Sequence, residues 1–256
     1  MLEKLSGKRP LGGKFQREQL RALVGYVLWV AVCFIGVQFV VGLAVGLLST
    51  AGIIDELLAQ NVTSLSITLG TFLAMAAAVV LLPKVIWGEK TSLETLGLQR
   101  LLMWRDIGLG IIGMVVAFGG SVLILWLSQY IMPWVNLEQV QDLGISPLNS
   151  GTELAIAFMT LVVVGPFVEE VIFRGYLYGK LRGSGIRMWL AAVVVSILFA
   201  VAHGQWNVAL DVFVLSLIMC FMREKTGSIW VGVIMHMLKN GIAFYFMFVY
   251  PMTMGL

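Results

Sequence analysis

Apolar residues fill the chain in long unbroken blocks, and polar residues collect in the short stretches between them. The blocks cover roughly residues 22–48, 62–82, 107–132, 188–202, 208–222 and 229–249, with a further one that opens near Leu154 and runs on past a charged patch. Within each block the apolar positions follow one another without the period-two alternation of a transmembrane barrel strand, so the pattern predicts helices that are apolar all round. A helix needs about 20 residues to cross the hydrocarbon layer. Most blocks reach that length; the fifth and sixth in chain order fall short. The expected architecture is all-α, a polytopic helical membrane protein of about seven transmembrane helices.

Punctuation between the blocks sets the expected boundaries. Pro83 ends the second helix, because proline lacks the N–H that the ladder needs. Thr91-Ser92-Leu93-Glu94 reads as a capping box in which Thr91 and Glu94 satisfy each other's free backbone N–H groups. Leu96, Leu98, Leu101, Leu102 and Trp104 then suit either a short helix lying at the interface or a simple surface connector. Gly110, Gly113, Gly119 and Gly120 in the third block let a neighbouring backbone approach. Pro133, Gly144 and Pro147 mark a loop before the fourth block.

Charge orients these helices. Lys and Arg fall in alternate connections: residues 1–21, 83–106, 180–187 and 223–225 are basic, whereas 49–61, 133–153 and 204–207 carry neither. The positive-inside rule then places the N-terminus in the cytoplasm and the C-terminus outside, as expected in a bacterial cytoplasmic membrane, with the basic arm against anionic headgroups. No cleavable signal peptide is expected. The chain is 59% hydrophobic and 12% charged, against about 45–50% and about 25% for soluble domains. A net charge of +3 gives no reason to expect nucleic acid as a partner. Cys33 and Cys220 each sit inside an apolar block and read as buried thiols, neither a disulfide nor a metal site. The chain divides into a basic cytoplasmic arm (1–21), N-terminal transmembrane helices and loops (22–149), a membrane core with the active site among its last four helices (150–249) and a short tail (250–256).

That core holds the chemistry. Glu169, Glu170 and Arg174, His203, Asp211, and His236, Lys239 and Asn240 all lie in apolar blocks, where an ionisable group costs at least about 2.5–3.5 kcal/mol and is a functional candidate by default. Glu170 and Arg174 are four apart in the favourable acid-then-base order, so they share a helix face as an ion pair. Glu169 is turned about 100° away and is left to face a cavity. His236 and Asn240 also share a face, as do Phe199 and His203. Depth decides whether these groups meet. If the fourth helix left the membrane at Arg174, Glu169 would lie only about 8 Å in, at 1.5 Å per residue, against about 24 Å for His203 counted from Arg187. If the helix runs on to about Leu181, Glu169 is about 20 Å deep and His236 about 16 Å. The groups then converge, and Arg174 is buried. Asp211 and Lys239 are expected to pair, unless Lys239 snorkels to the headgroups or acts on another nearby carboxylate.

A carboxylate accepts a proton from water and an imidazole relays it; a second imidazole and an amide N–H stabilise an oxyanion. That set suits amide hydrolysis without a covalent intermediate. It also permits metal-assisted hydrolysis, since His and Glu bind zinc. A proton or ion transporter would use the same residue types. A protein whose polar cluster only fixes helix packing is the fourth reading.

Glu169-Glu170-Val171-Ile172-Phe173-Arg174 fits E-E-x-x-x-R, Phe199-Ala200-Val201-Ala202-His203 fits F-x-x-x-H, and His236-Met237-Leu238-Lys239-Asn240 fits H-x-x-x-N. In this order and spacing, with Thr226-Gly227-Ser228-Ile229-Trp230 before the last, they resemble the CPBP family of intramembrane proteases, also called Abi or CAAX-protease-like, over roughly residues 150–245. The resemblance implies a glutamic endopeptidase that needs no cofactor; zinc is not favoured. It implies Glu169 as catalytic base acting on water with His203, His236 and Asn240 as oxyanion stabilisers, and Glu170, Arg174 and Phe199 as structural support. It implies a membrane-associated peptide or protein as substrate; family substrates range from prenylated CAAX tails to leader peptides. Some members are linked to immunity or regulation, so a non-proteolytic membrane partner of the same fold is the alternative. Lys239 departs from the neutral or apolar residue expected inside the last motif.

Overall fold

The structure, a computed structural model, describes residues 17–251 except 55–56, 58–59, 138, 140–144, 146–147 and 149. Most of the basic arm, the loop acids Asp55, Glu56, Glu138 and Asp142, the loop markers Gly144 and Pro147, and the tail beyond Pro251 therefore lie outside the described residues. Among the described residues every regular element is helical.

Among the described residues, six helices are long and apolar enough to cross a membrane: α1 (Arg17–Thr50), α2 (Asn61–Trp87), α4 (Trp104–Ile131), α5 (Gly151–Gly183), α7 (Trp206–Thr226) and α8 (Trp230–Val249). The apolar α6 (Met188–Val201) is shorter, and α3 (Leu93–Leu96) is a single turn. The polytopic helical architecture is as the apolar blocks predict. α6, with 14 residues, rises about 21 Å. The chain then doubles back at Gly204, whose φ of 71° suits a residue without Cβ. α7 outruns its block, because Arg223 and Lys225 still belong to its last turn instead of forming a separate connection. α5 is the single long helix that the depth argument requires, and every residue of Val171–Leu177 is buried.

Two expected boundaries are corrected. Pro83 does not end α2; the helix continues to Trp87 and closes at Gly88, in the left-handed region at φ 72°. Proline deprives the carbonyl four residues back of its donor. That carbonyl belongs to Val79, and the indole Nε1–H of Trp29 on α1 donates to it at 3.1 Å. The proline is tolerated because a neighbouring helix supplies the missing hydrogen bond.

The second correction concerns α3. Its N-cap is Ser92, one residue later than expected, in an extended conformation with its Oγ accepting from Thr95 N–H at 3.1 Å. α3 is only one turn, and Leu98, Leu101 and Leu102 follow it in a connector, the second of the two expected forms. Leu96 is buried, and the turn rests on α5 where Gly175 and Gly179 leave room. A Cβ at Gly175 would stand 3.0 Å from the Leu96 carbonyl oxygen, and one at Gly179 would collide with that of Thr95.

The basic connections gather at one end of the bundle. Lys180 Nζ meets Glu89 at 2.6 Å, and Glu89 also accepts from the Tyr26 hydroxyl. Arg182 holds Glu224 with two nitrogens at 2.9 and 2.6 Å, and the Tyr178 hydroxyl donates to the same carboxylate at 2.8 Å. Arg100 and Asp106 form a bidentate pair at 2.6 and 2.7 Å. Hydrogen bonding to Asp106 raises the Arg100 guanidinium above its ordinary pKa. The Ser228 hydroxyl donates to Gly97 O and the Trp230 indole to Arg100 O, tying the start of α8 to the α3–α4 connection.

Candidate active site

The site is built on a change in the winding of α5. Two π-helical stretches, Met159–Val164 and Val171–Leu177, flank the α-helical Gly165–Glu170. Such insertions in an α-helix are frequent at functional sites. In the π register each carbonyl looks five residues on, as Thr160 O does to Gly165 N–H. For Leu161 the fifth residue is Pro166, which has no N–H to give. The side-chain Nδ2 of Asn240 on α8 donates to Leu161 O at 2.9 Å.

Glu170 points into the protein. Its Oε1 accepts from Arg174 Nη1 at 2.8 Å, and neither side chain reaches solvent or lipid. The guanidinium carbon lies 4.2 Å from the centroid of the Phe199 ring, so an aromatic face covers the cation. Phe199 also meets the Phe173 ring and both imidazoles edge-on, at 4.8 Å from His203 and 5.6 Å from His236. Gly232 makes room for the carboxylate: a Cβ there would be 2.6 Å from Glu170 Oε2.

His236 links the two acids through different nitrogens. Nδ1 lies 3.2 Å from Glu170 Oε1 and Nε2 lies 3.6 Å from Glu169 Oε2. An ion-paired carboxylate only accepts, so Nδ1 carries the hydrogen towards Glu170. His203 Nδ1 stands 2.8 Å from the Phe199 carbonyl oxygen and must donate to it, which leaves Nε2 as the acceptor in the neutral ring. Glu169, at 18% side-chain exposure, is the acid with access to space. It lines two cavities, and His203 lines both with it. One, of 350 Å³, is bounded by α1 and α2 through Phe34, Gln38, Thr68 and Thr71. The other, of 230 Å³, is bounded by His236, Lys239, Asn240 and the aromatic end of α8. Phe72 is shared by the two.

Lys239 and Asp211 pair at 2.8 Å, as expected, and Asp211 Oδ1 also accepts from the Ser121 hydroxyl at 2.5 Å. This ties α8, α7 and α4 together beside the second cavity. Cys33 and Cys220 are buried free thiols. Among the described residues, no group of three or more His, Cys, Asp or Glu side chains is disposed to hold a metal ion.

Residues 151–242 match the protein-family model described as Rce1-like, type II CAAX prenyl endopeptidase Rce1-like. This part of the chain is similar to the CAAX protease family. The chain is 26% identical over 151 residues to the membrane-embedded CAAX protease MroQ of Staphylococcus aureus (strain USA300), covering 48% of this chain and 61% of that one. It is 28% identical over 88 residues to the putative membrane peptidase YdiL of Bacillus subtilis (strain 168), covering 34% and 36%. An uncharacterized 24.3 kDa protein of Escherichia coli is 30% identical over 89 residues, covering 33% and 41%. The chain thus spans about two fifths to three fifths of the first two curated relatives it matches, and about a third of YdiL. No solved structure matches.

The matched region does not enclose the site by itself. Gln38, Thr68, Thr71 and Phe72 complete it from α1 and α2, ahead of residue 151. Sequence reasoning did not single these residues out, and only one signal pointed to them: Gln38 is an amide inside an otherwise apolar block. It also passed over Gly232, four residues before His236 and so on the same helix face. The Gly175-x-x-x-Gly179 spacing, a small-residue pattern, marks where α3 docks.

Proposed function

We propose that this protein is an intramembrane endopeptidase that hydrolyses peptide bonds of membrane-associated peptides or proteins. Glu169 takes a proton from water, aided by the free Nε2 of His203. The hydroxide adds to the scissile carbonyl carbon. The oxyanion that forms is stabilised by His236 and by the second amide hydrogen of Asn240. Glu169 then passes its proton to the leaving nitrogen as the C–N bond breaks. No covalent intermediate and no metal take part. Glu170, Arg174 and Phe199 hold His236 and the helix in place. The protein acts in a bacterial cytoplasmic membrane with its N-terminus in the cytoplasm.

One observation carries this reading: of two adjacent carboxylates, Glu170 is consumed by Arg174 and His236, while Glu169 opens with His203 onto two cavities. A base beside space for substrate and water is what hydrolysis requires. The family match and the relatives named as proteases support it. The test compares membrane-proximal peptides from cells with the wild-type protein and with Glu169→Gln. Peptides that appear only with the wild type are expected. Identical peptide sets, with the cellular phenotype retained in Glu169→Gln, would overturn the reading in favour of a non-proteolytic membrane partner.

A further inference from the structure

The wall of the larger cavity opposite Glu169 has an unusual hydrogen-bond balance. It is made by α1 and α2 and contains Gln38, Thr68 and Thr71. Each spends a donor on its own helix. Thr68 Oγ1 donates to Ser64 O at 2.9 Å, Thr71 Oγ1 to Ile67 O at 2.8 Å, and Gln38 Nε2 to Phe34 O at 3.1 Å. Hydroxyl and amide oxygens keep lone pairs after such bonds, so what the wall offers the cavity is chiefly acceptors. Gln38 and Thr68 are also exposed, although both lie within spans where a polar surface residue is unfavourable. Ser66 provides the contrast. It makes the same bond back to its helix, at 2.7 Å to Val62 O, but does not line the cavity.

An extended peptide in a low-dielectric site carries backbone N–H groups that have lost their helical partners and must find others. We infer that Gln38, Thr68 and Thr71 form an acceptor wall that binds the unwound backbone of a peptide substrate through its N–H groups, on one side of the scissile bond. Phe72, shared by both cavities, marks the boundary. Beyond it the smaller cavity, lined by Phe244, Met247 and Phe248, takes an apolar side chain on the other side of that bond. The substrate is therefore an extended peptide recognised by main-chain hydrogen bonds before Phe72 and by an apolar residue after it. This rests on the endopeptidase reading for the nature of its ligand, a peptide.

The experiment uses the full chain in lipid nanodiscs, with fluorescent peptides from a membrane-anchored library and copies of the tightest-binding peptide N-methylated at one backbone nitrogen at a time. Binding is measured on the Glu169→Gln protein and cleavage on the otherwise unaltered one. Methylation at particular positions is expected to weaken binding about three- to tenfold, the worth of one neutral hydrogen bond. Thr71→Val or Gln38→Leu should weaken the parent peptide similarly, and methylation should then cost nothing further at the matching nitrogen. Thr71→Ser should restore binding, and Ser66→Ala should change nothing. Additive effects of methylation and substitution, or no binding by any library peptide, would overturn the inference. Coupled binding without cleavage by the unaltered protein would leave the wall standing and remove only the hydrolytic reading.

Discussion

Asn240 donates its side-chain N–H to the carbonyl of Leu161 at 2.9 Å, the one carbonyl in that turn whose π-helical partner is a proline. The amide of the H-x-x-x-N motif therefore fastens α8 to α5 as well as lining the cavity. Asn240→Leu is expected to lower the thermal unfolding midpoint, by the about 1–3 kcal/mol that an orphaned buried acceptor costs. The loss should shrink in a Pro166→Ala background, where a backbone N–H is restored. Equal losses in both backgrounds would show that the bond to Leu161 is not what Asn240 contributes to stability.

Trp29 and Pro83 obey the same logic at a distance from the site. Trp29→Phe removes the donor on Val79 O while keeping an aromatic ring against Trp87. It should destabilise the protein, and Pro83→Ala should absorb most of the cost. Thermal scanning of the four proteins of this cycle in detergent gives the coupling directly.

The paired acids should separate cleanly. Glu170→Gln leaves Arg174 buried without its counter-charge, a change worth about 3–5 kcal/mol in comparable buried pairs. The expected outcome is a markedly lower unfolding midpoint together with lost cleavage. Glu169→Gln should abolish cleavage and leave the midpoint near that of the wild type. If Glu169→Gln unfolds as readily as Glu170→Gln, the division of roles is wrong.

Much of the fold was legible, because burial in lipid makes each span apolar all round and each connection polar. The pairs Glu170–Arg174 and Phe199–His203 were legible for a local reason: residues four apart on a helix must face the same way. The long α5 followed from depth alone. Pro83 misled because its missing donor is supplied from α1, 54 residues earlier in the chain, and no local signal reports such a partner. The walls of the larger cavity were hidden for the same reason. Thr68 and Thr71 look like any hydroxyl bonded to its own helix until α2 is seen to stand opposite Glu169.

Gly232→Ala tests the packing against Glu170. The added methyl would press on Glu170 Oε2, and that carboxylate is held by Arg174 and His236, so it cannot swing aside. Activity should fall at least tenfold, and the unfolding midpoint should drop as well. A variant with wild-type rates would mean that the carboxylate shifts without consequence.

Lys239 and Asp211 should behave as a unit. Lys239→Met strands a carboxylate beside the cavity and Asp211→Asn strands an ammonium. The double variant should be more stable than the sum of the two single losses predicts. Strictly additive losses in thermal unfolding would argue that the 2.8 Å pair contributes little.

Cleavage should also survive metal removal. Activity in a chelating buffer is expected to equal that without chelator. A loss that added zinc restores would assign Glu169 and the imidazoles to a metal instead.

The π stretches of α5 have an evolutionary consequence. A π turn is an α-helix that has absorbed one extra residue without disturbing the faces on either side of it. Met159–Val164 and Val171–Leu177 are thus the places in this helix where the chain can gain or lose a residue at little cost to the heading of Glu169. A deletion in Gly151–Phe158 would turn everything before it by about 100° relative to the site. Lineages of this protein should therefore record their length changes within α5 at those two windings, and Glu169 should keep its bearing across them.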